Sequence, residues 1–350
     1  MILAMDSLPQ RPDRSVASIE GAEVRIRPYG PEDAVRGADA LSPPFRTAPD
    51  DMLAVADPAT DRLIGGVEII DQGDGEGRIG FWVVPESRRK GVATAAVRAL
   101  TEHAFSTAGY ARLQLRTAFE NTAAQRVAIA AGYVREGVAR AAAGPAGGRQ
   151  DLIVWARTAD DPPGPTPRFL PDLPDAELTD GRVSLRPMAA SDAAEVHPVR
   201  ASPEVVANTV TGLPPTAAET ARYCARAGAA WLQDVSVRLT VRDAATGAFV
   251  GKVGLQLEDP GTGQAEIDYY LAPAWQGRGY ATRAVNLLCD WAFTHTAIER
   301  LVAGVHLPNL ASQQVLGRAG FVREGHERGR LPDGSGGRAD IYTYALLHPA

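Results

Sequence analysis

Cysteine and long hydrophobic runs are scarce in this chain of 350 residues. No apolar stretch approaches the roughly 20 residues that a membrane-spanning helix needs, and the opening Met-Ile-Leu-Ala-Met is too short to be a signal peptide. With two cysteines in all, Cys224 and Cys289, a disulfide framework and a cysteine-rich zinc site are excluded. We therefore expect a cytoplasmic protein without a membrane partner.

Excess positive charge and clustered histidines are also lacking. The formal net charge is −6, which argues against a nucleic-acid partner. The six histidines show no short metal-ligand spacing, so we expect no metal site. Hydrophobic residues make up 45% of the chain and charged residues 22%, which is typical of a soluble globular protein, and the length suggests two domains.

The chain contains a diverged internal repeat. Gly-Phe-Trp-Val-Val-Pro at 80–85 aligns with Asp-Tyr-Tyr-Leu-Ala-Pro at 268–273. In the same register, Ala-Gly-Tyr-Val-Arg-Glu-Gly at 131–137 aligns with Ala-Gly-Phe-Val-Arg-Glu-Gly at 319–325. One register maintained over about 60 residues indicates two copies of one structural unit.

The repeat sets the predicted domain boundaries. We expect a tail at 1–22, a first copy at 23–157, a proline-rich linker at 158–178 and a second copy at 179–350. The first copy is shorter than the second before its core motif, so its early helical region is curtailed.

Hydrophobic periodicity predicts alternating helices and strands in the second copy. The predicted strands are 183–186, 235–243, 248–257, 266–271 and 300–306, and a β-hairpin closes the copy. The predicted helices are 190–207, 216–232, 279–294 and 310–318. Alternation in the strand 266–271 places Glu266, Asp268 and Tyr270 on one face.

Each copy carries a glycine-containing segment between a strand and a helix, at 88–93 and at 276–281. Glycine permits close approach of the backbone, and the free N–H groups of a helix's first turn favour an anion. A pyrophosphate fits such a site. The motif alone is weak, but two occurrences in one register predict a ligand-binding loop.

These motifs resemble those of the GNAT superfamily of acyl-CoA-dependent N-acetyltransferases. The second copy is especially similar to the branch that acetylates the N-terminal residue of ribosomal proteins. The resemblance rests on residues 212–216, 266–273, 275–282, 309–312 and 319–325. It implies an α/β fold of two tandem GNAT domains, each a mixed, mostly antiparallel sheet flanked by helices, with a V-shaped splay between the two central strands.

The resemblance also implies acetyl-CoA, or a related acyl-CoA, as co-substrate. In the second copy its implied binding residues are Leu271, Gln276, Gly277, Arg278, Gly279, Tyr280, Ala281, Thr282 and Asn309. In the first copy they are Val83, Arg88, Arg89, Lys90, Gly91, Val92, Ala93 and Asn121. The backbone N–H near Leu271 would donate to the thioester carbonyl.

Amine acylation needs a base for the amine proton and an acid for the leaving thiolate. Glu266 is the expected base because it lies in the strand beside the expected thioester, and Asp268 on the same face is the reserve. Ser312 is the expected acid, with helix capping as its alternative role. The tyrosine that many GNAT enzymes use as acid is missing, since Leu316 and Ala128 occupy its positions.

The first copy lacks these groups. Arg78 stands in the position of Glu266, Gly80 in that of Asp268, and Ala124 in that of Ser312. Glu68, from a neighbouring strand, is the candidate for a substitute carboxylate. We therefore expect the first copy to bind CoA weakly or not at all and the second to carry the chemistry.

The expected activity is direct transfer of acetyl to a primary amine in a ternary complex. The acceptor is a peptide or protein N-terminus, a lysine or an amino-containing small molecule. Two alternatives stay open: a non-catalytic CoA-binding scaffold, and an acyltransferase that uses a longer acyl chain or a carrier-protein donor. The chain is expected to be a monomer with pseudo-dimeric packing of its copies, or a homodimer.

Overall fold

The computed structural model describes residues 18–21, 23–30, 32–33, 52–143, 148–209, 212–333 and 337–349. The chain forms two compact units, Met1–Pro167 and Arg168–Ala350, called here the N-terminal unit and the C-terminal unit.

The N-terminal unit combines a sheet with helices among its described residues. The strands are β1 (Ile19–Glu20), β2 (Arg25–Pro28), β3 (Leu53–Ala56), β4 (Leu63–Gly73), β5 (Glu76–Val83), β6 (Arg112–Ala118), β7 (Val134–Ala143) and β8 (Arg149–Thr158). The helices are α1 (Val92–Ser106) and α2 (Thr122–Ala130). The strand order is β1-β2-β3-β4-β5-β6-β8-β7. The curtailed helical region expected upstream falls largely outside the described residues.

The C-terminal unit repeats this plan with further helices. Its strands are β9 (Leu178–Thr179), β10 (Val183–Pro187), β11 (Ser236–Asp243), β12 (Phe249–Asp259), β13 (Gln264–Leu271), β14 (Arg300–His306), β15 (Val322–Pro332) and β16 (Arg338–Leu347). Its helices are α3 (Ala193–Arg200), α4 (Pro203–Val206), α5 (Ala217–Ala225), α6 (Ala227–Leu232), α7 (Tyr280–His295) and α8 (Leu310–Arg318). The strand order is β15-β16-β14-β13-β12-β11-β10-β9.

Both sheets are mixed and mostly antiparallel, which confirms the predicted fold class. Among the described strands, the parallel neighbours are β5 with β6 and β13 with β14, and the other neighbours are antiparallel. A parallel pair needs a crossover connection, and α1 and α7 supply it. In each sheet the pairing of the two parallel strands covers three residues, and both strands continue beyond it.

The apolar side of α7 packs on one face of the C-terminal sheet. Val285, Leu288 and Ala292 are fully buried there, in one cluster with Val253 and Ile267 of the central strands. Their spacing of three and four residues is that of the predicted amphipathic helix. This packing fixes the start of α7 relative to the end of β13.

The prediction of one continuous helix at 190–207 is wrong. The structure divides it into a 3₁₀ turn at 190–192, α3 and α4, with Ser202 in an extended conformation before α4. Pro203 explains the break, because proline disfavours helical geometry in the residue before it and has no N–H to donate. The predicted helix at 216–232 is likewise divided, at Arg226.

The proline-rich segment predicted as a linker is partly packed against the protein. The division between the units falls inside it, but Leu170 and Leu173 are buried in the core of the C-terminal unit. Asp234 accepts hydrogen bonds from the N–H groups of Phe169 and Leu170 at 3.0 and 2.8 Å. Apolar side chains between the prolines give this stretch a surface to bury, so it is anchored.

Candidate active site

The central strands of the C-terminal unit separate after a short parallel pairing. In β13 and β14 this pairing ends with Glu266 opposite Val302. Both strands continue beyond this point, to Leu271 and His306, without pairing to each other. This V-shaped opening is called the splay, and Glu266 lies at its apex.

Glu266 projects from the sheet face opposite to α7. Its carboxylate lies near Gly304 of β14, where an added Cβ would be 3.8 Å from Oε1. The side chain is solvent-accessible, but the surrounding protein removes enough water to raise its pKa, and the carboxylates of Glu258 and Asp268 raise it further. A carboxyl group with a raised pKa is better matched to proton abstraction near neutral pH.

Asp268, the reserve base, is engaged in an ion pair with Lys252 of β12. The side chain of Lys252 is 2% exposed, whereas that of Asp268 is 62% exposed. The ammonium of Lys252 occupies one oxygen of the Asp268 carboxylate. This arrangement suits Asp268 to balancing the charge of Lys252 more than to proton transfer.

Sequence reasoning does not single out Lys252. The available signal is a lysine inside the apolar stretch Phe-Val-Gly-Lys-Val-Gly-Leu at 249–255. Directly opposite it in the sheet, Tyr270 has a buried hydroxyl without a hydrogen-bond partner among the described residues. Burial raises the pKa of Tyr270, so this hydroxyl stays protonated at neutral pH.

Ser312 interacts with a residue that points to the other face of the sheet from Glu266. Its hydroxyl is 2.7 Å from the hydroxyl of Tyr269, which also donates to the backbone oxygen of Ser312 at 3.2 Å. Burial raises the pKa of Tyr269 to about 12. Sequence reasoning does not single out Tyr269 either, although its orientation follows from the alternation of β13.

Asn309 caps the helix that carries Ser312. Its side-chain oxygen accepts from the N–H of Ser312 at 3.0 Å, so Asn309, and not Ser312, is the cap of α8. Asn121 accepts from the N–H of Ala124 at the same distance in the N-terminal unit. The Ser312 hydroxyl therefore does not cap the helix, and it contacts the Tyr269 hydroxyl instead.

The backbone at Leu271 points a donor into the splay. The N–H of Ala272 donates to the oxygen of Val250 in β12 at 2.8 Å. Peptide groups alternate in direction along a strand, so the N–H of Leu271 is directed away from β12 and toward β14. This orientation is the one that donation to a thioester carbonyl in the splay requires.

The segment from Gln276 to Ala281 forms a tight turn into α7. Gly277 and Gly279 have φ values of 72° and 83°, a left-handed region that favours glycine. The N–H groups from Gly277 to Thr282 form no hydrogen bond with any described residue. The loop thus presents consecutive donors at the positive end of a helix, which suits a pyrophosphate.

Side chains of the same segment hold the turn in place. Gln276 Nε2 donates to the oxygen of Leu271 at 3.3 Å, and the Tyr280 hydroxyl donates to the carboxylate of Asp243. The guanidinium of Arg278 lies 5.6 Å from the centre of the Trp275 ring. The side chains pack while the backbone N–H groups stay available to a ligand.

Two open cavities lie near the ends of these elements. One, of about 470 Å³, lies beside the turn and is lined by Gly279 and Thr282 with other residues of α7. The other, of about 770 Å³, lies at the end of β14 and the start of α8, and Asn208, His306 and Asp340 are among its walls. The C-terminal unit therefore has an open cavity beside the turn and another at the start of α8, and the second is also lined by Asn309.

The N-terminal unit keeps the loop. Gly91 matches Gly279 with a φ of 82°, and Arg89 matches Gly277 with a φ of 60°, although a side chain disfavours that region. The side chain of Arg88 turns back to donate to the oxygen of Val83 at 3.0 Å. The loop continues through Lys90 into the first turn of α1, which contains Val92 and Ala93.

The N-terminal unit does not have the polar side chains that the C-terminal unit has at its splay. Its last parallel pair is Arg78 with Gln114. Register places Gly66 where the C-terminal unit has Lys252, because Gly66 faces Trp82 as Lys252 faces Tyr270. Glu68, the candidate substitute carboxylate, is buried and directly opposite Gly80.

The described part of the chain contains no group of three or more histidine, cysteine, aspartate or glutamate side chains that could hold a metal ion. The expectation that the protein has no metal site stays a prediction. Within those same residues, no helix is both long enough and apolar enough to cross a membrane.

The family model described as "Acetyltransferase (GNAT) domain" matches residues 15–134 and again residues 182–322. The chain is 40% identical over 85 residues to the probable N-acetyltransferase YjcK of Bacillus subtilis (strain 168), covering 24% of this chain and 46% of that protein. It is 32% identical over 101 residues to the putative ribosomal N-acetyltransferase YdaF of the same strain, covering 29% and 55%. The chain thus spans about half the length of the curated relatives it matches. Among solved structures, an acetyltransferase (GNAT family) from Bacillus anthracis is similar at 22% identity and a TM-score of 0.45, covering 49% of this chain and 98% of that one.

Proposed function

Because this chain belongs to the acetyltransferase (GNAT) domain family, we propose that its C-terminal unit transfers an acetyl group from acetyl-CoA directly to a primary amine in a ternary complex. The observation that carries this proposal is a splay with Glu266 directed to one face of the sheet and the Tyr269–Ser312 pair on the other. A thioester held in the splay would have a base on one side and an acid on the other.

The turn at 276–281 and the end of β13 would bind the donor. The free N–H groups of the turn would hold the pyrophosphate, and Asn309 would lie beside the pantetheine. The inward N–H of Leu271 would donate to the thioester oxygen, whose negative charge grows as the amine attacks. These contacts use mainly backbone atoms, which the fold holds in place before the donor binds.

Activation of the amine falls to Glu266. Glu258 adds negative charge near it, and the charge of Asp268 is balanced by Lys252, so the carboxylates of Glu258 and Glu266 attract an ammonium to this face of the sheet. Glu266 then accepts a proton, directly or through water, and leaves a neutral amine that attacks the thioester carbon. Partial desolvation makes this carboxylate a stronger base than an exposed one.

The hydroxyl groups of Ser312 and Tyr269 assist departure of the thiolate. Ser312 would donate its proton to the leaving sulfur, and Tyr269 would hold the Ser312 hydroxyl in position through their 2.7 Å contact. Ser312 would regain a proton through solvent, which balances the second proton that the nitrogen loses as the amide forms, and Tyr269 keeps its own proton because burial raises its pKa to about 12. This tyrosine comes from β13 and not from the helix that follows Asn309.

The proposed acceptor is the amine of a peptide N-terminus, of a lysine or of a small molecule. The cavity of about 770 Å³ is within the size range of ligand sites and opens next to the end of the splay. The carboxylates of Glu266 and Glu258 favour an acceptor that arrives as a cation.

The N-terminal unit is proposed to be non-catalytic. Arg78, Gly80 and Ala124 replace the three expected catalytic groups, and Phe81 replaces Tyr269. The domain limits 23–157 and 179–350 are retained as proposals for the two folded copies, with 158–178 joining them.

The test is release of free CoA thiol from acetyl-CoA in the presence of a panel of peptides and small amines. Glu266→Gln is expected to lower kcat by about 10²–10⁴-fold, the usual contribution of a general base. Glu299→Gln is the matched control, since Glu299 is an exposed residue that precedes β14. Near-normal kcat with an unchanged pH–rate profile in Glu266→Gln would contradict the assignment.

A further inference from the structure

Two arginines take the place of Glu266 and Gly304 in the splay of the N-terminal unit. Arg78 is the last residue of β5 that pairs with β6, as Glu266 is in β13. Arg78 pairs with Gln114, and Arg116 lies two residues further along β6, so Arg78 and Arg116 lie on the same face of the sheet. Gly304 has the same relation to Glu266 in the C-terminal unit. In the C-terminal unit a Cβ at Gly304 would be 3.8 Å from the Glu266 carboxylate, so side chains at these two positions are neighbours.

No ion pair joins this arginine pair to a carboxylate within the described residues. The hydrogen bond of Arg116 is with the side-chain oxygen of Gln114 at 3.5 Å. Glu68, which faces the same side opposite Gly80, has an interaction of its own. Partial loss of hydration lowers the pKa of Arg116, and the charge of Arg78 lowers it further, so the two cations repel each other.

The charge at the apex of the splay is therefore inverted between the units. The C-terminal unit places the carboxylate of Glu266 beside a glycine there. The N-terminal unit places two guanidinium groups, those of Arg78 and Arg116, at the same two positions. A site that attracts an amine in one unit would attract an anion in the other.

The loop at the start of α1 keeps a strained conformation. Arg89 holds a left-handed φ of 60°, where glycine occupies the matching place in the C-terminal unit. This conformation is unfavourable for a residue with a side chain, and such outliers cluster at ligand-binding positions. Lys90 and Arg88 flank Arg89, so positive charge lies both at this loop and at the apex of the N-terminal splay.

We propose that the N-terminal unit binds an acyl-CoA whose acyl group ends in a free carboxylate. The loop at 88–93 takes the pyrophosphate, and the guanidinium groups of Arg78 and Arg116 take the terminal carboxylate. This inference rests on the proposed use of acyl-CoA by the chain and assigns a different acyl group to the second splay. It also departs from the sequence-based expectation of weak or absent CoA binding, for this one class of ligand.

The chemistry of arginine selects a carboxylate over a neutral acyl group. A guanidinium pairs with a carboxylate through two parallel hydrogen bonds, whereas acetyl offers no charge to neutralise. Hydrogen bonds to charged groups contribute enough that loss of one arginine should weaken binding by about tenfold or more.

The test measures binding to the full chain by calorimetry and native mass spectrometry, with succinyl-CoA and acetyl-CoA as probes. The C-terminal loop is blocked by Gly279→Trp, a position where an added Cβ meets no neighbour within 4 Å and where the left-handed φ of 83° puts strain on a side chain. In this background we expect one equivalent of succinyl-CoA, bound at least about tenfold more tightly than acetyl-CoA. Arg78→Gln and Arg116→Gln should each remove the preference, while Arg135→Gln on the edge strand β7 should retain it.

A second arrangement guards against misfolding of the blocked variant. In the otherwise unchanged chain, Gly91→Trp should remove the succinyl-CoA equivalent and leave binding of acetyl-CoA intact. Equal affinity of the N-terminal unit for both probes, no binding of succinyl-CoA there, or a preference that survives both arginine substitutions would overturn the inference.

The two proposals fail differently. If acetyl-CoA binds the intact chain and releases thiol, but succinyl-CoA does not bind the N-terminal unit, only the inference is refuted. If acetyl-CoA neither binds nor turns over, the proposed function is refuted, and binding of succinyl-CoA in the Gly279→Trp background still supports the N-terminal site.

Discussion

The ion pair between Lys252 and Asp268 should respond very differently to loss of its two partners. Lys252 is enclosed by the protein, with 2% of its side chain exposed, while Asp268 has 62% exposed. Asp268→Asn strands a buried ammonium without a counter-charge. Lys252→Met removes that charge and leaves a carboxylate that water can still reach.

The expected magnitudes follow from burial. Stranding a buried charge by removing its partner destabilises a protein by about 3–5 kcal/mol. Because water reaches the Asp268 side of the pair, Asp268→Asn should lower the free energy of unfolding by about 3 kcal/mol, the lower end of that range. Lys252→Met keeps a long apolar side chain in the same space, so its cost should stay within about 1 kcal/mol. The double variant should recover most of the loss of Asp268→Asn, because no unpaired ammonium remains.

The assay is urea unfolding followed by circular dichroism for the parent, both single variants and the double variant. Asp290→Asn is the control, since Asp290 is exposed on α7 of the same unit. The reasoning is refuted if Asp268→Asn is as stable as the control, or if Lys252→Met is the more damaging single change.

Three further outcomes are expected. Because partial burial raises the pKa of Glu266, the folded chain loses stability as pH rises above the ordinary glutamate pKa of 4.5 through the raised value. In thermal unfolding, Glu266→Gln should therefore be more stable than the parent at neutral pH, and this difference should vanish in acid. If the variant and the parent have equal melting temperatures at neutral pH as well as in acid, the reasoning is wrong. Ser312→Ala and Tyr269→Phe should each lower kcat, and the double variant should lose little more than Ser312→Ala alone, because the two hydroxyls act as one unit; additive losses in steady-state kinetics would separate them. Gly279→Trp should remove bound acetyl-CoA in native mass spectrometry while Gly91→Trp leaves it in place, and the reverse pattern would move the donor site to the N-terminal unit.

Much of the fold could be predicted because its signals are local. The internal repeat predicted two copies, and the strand, glycine turn and amphipathic helix around Gly279 have their own patterns in sequence. The break before Pro203 had a local signal too, yet the apolar periodicity across 190–207 masked it. The mixed, mostly antiparallel sheet followed from the resemblance and is confirmed by the strand pairing.

What the sequence determined by itself was the set of chemical groups near the splay and the face on which Glu266 and Asp268 lie, because alternation along one strand is a property of the chain. What only the tertiary structure decided was which partners meet them. Register between β12 and β13 brings Lys252 against Asp268, and packing of α8 brings Ser312 to Tyr269. Those contacts join residues 16 and 43 positions apart, so no local pattern specifies them. The register between two strands and the position of a helix on the sheet are set by the packing of the whole unit.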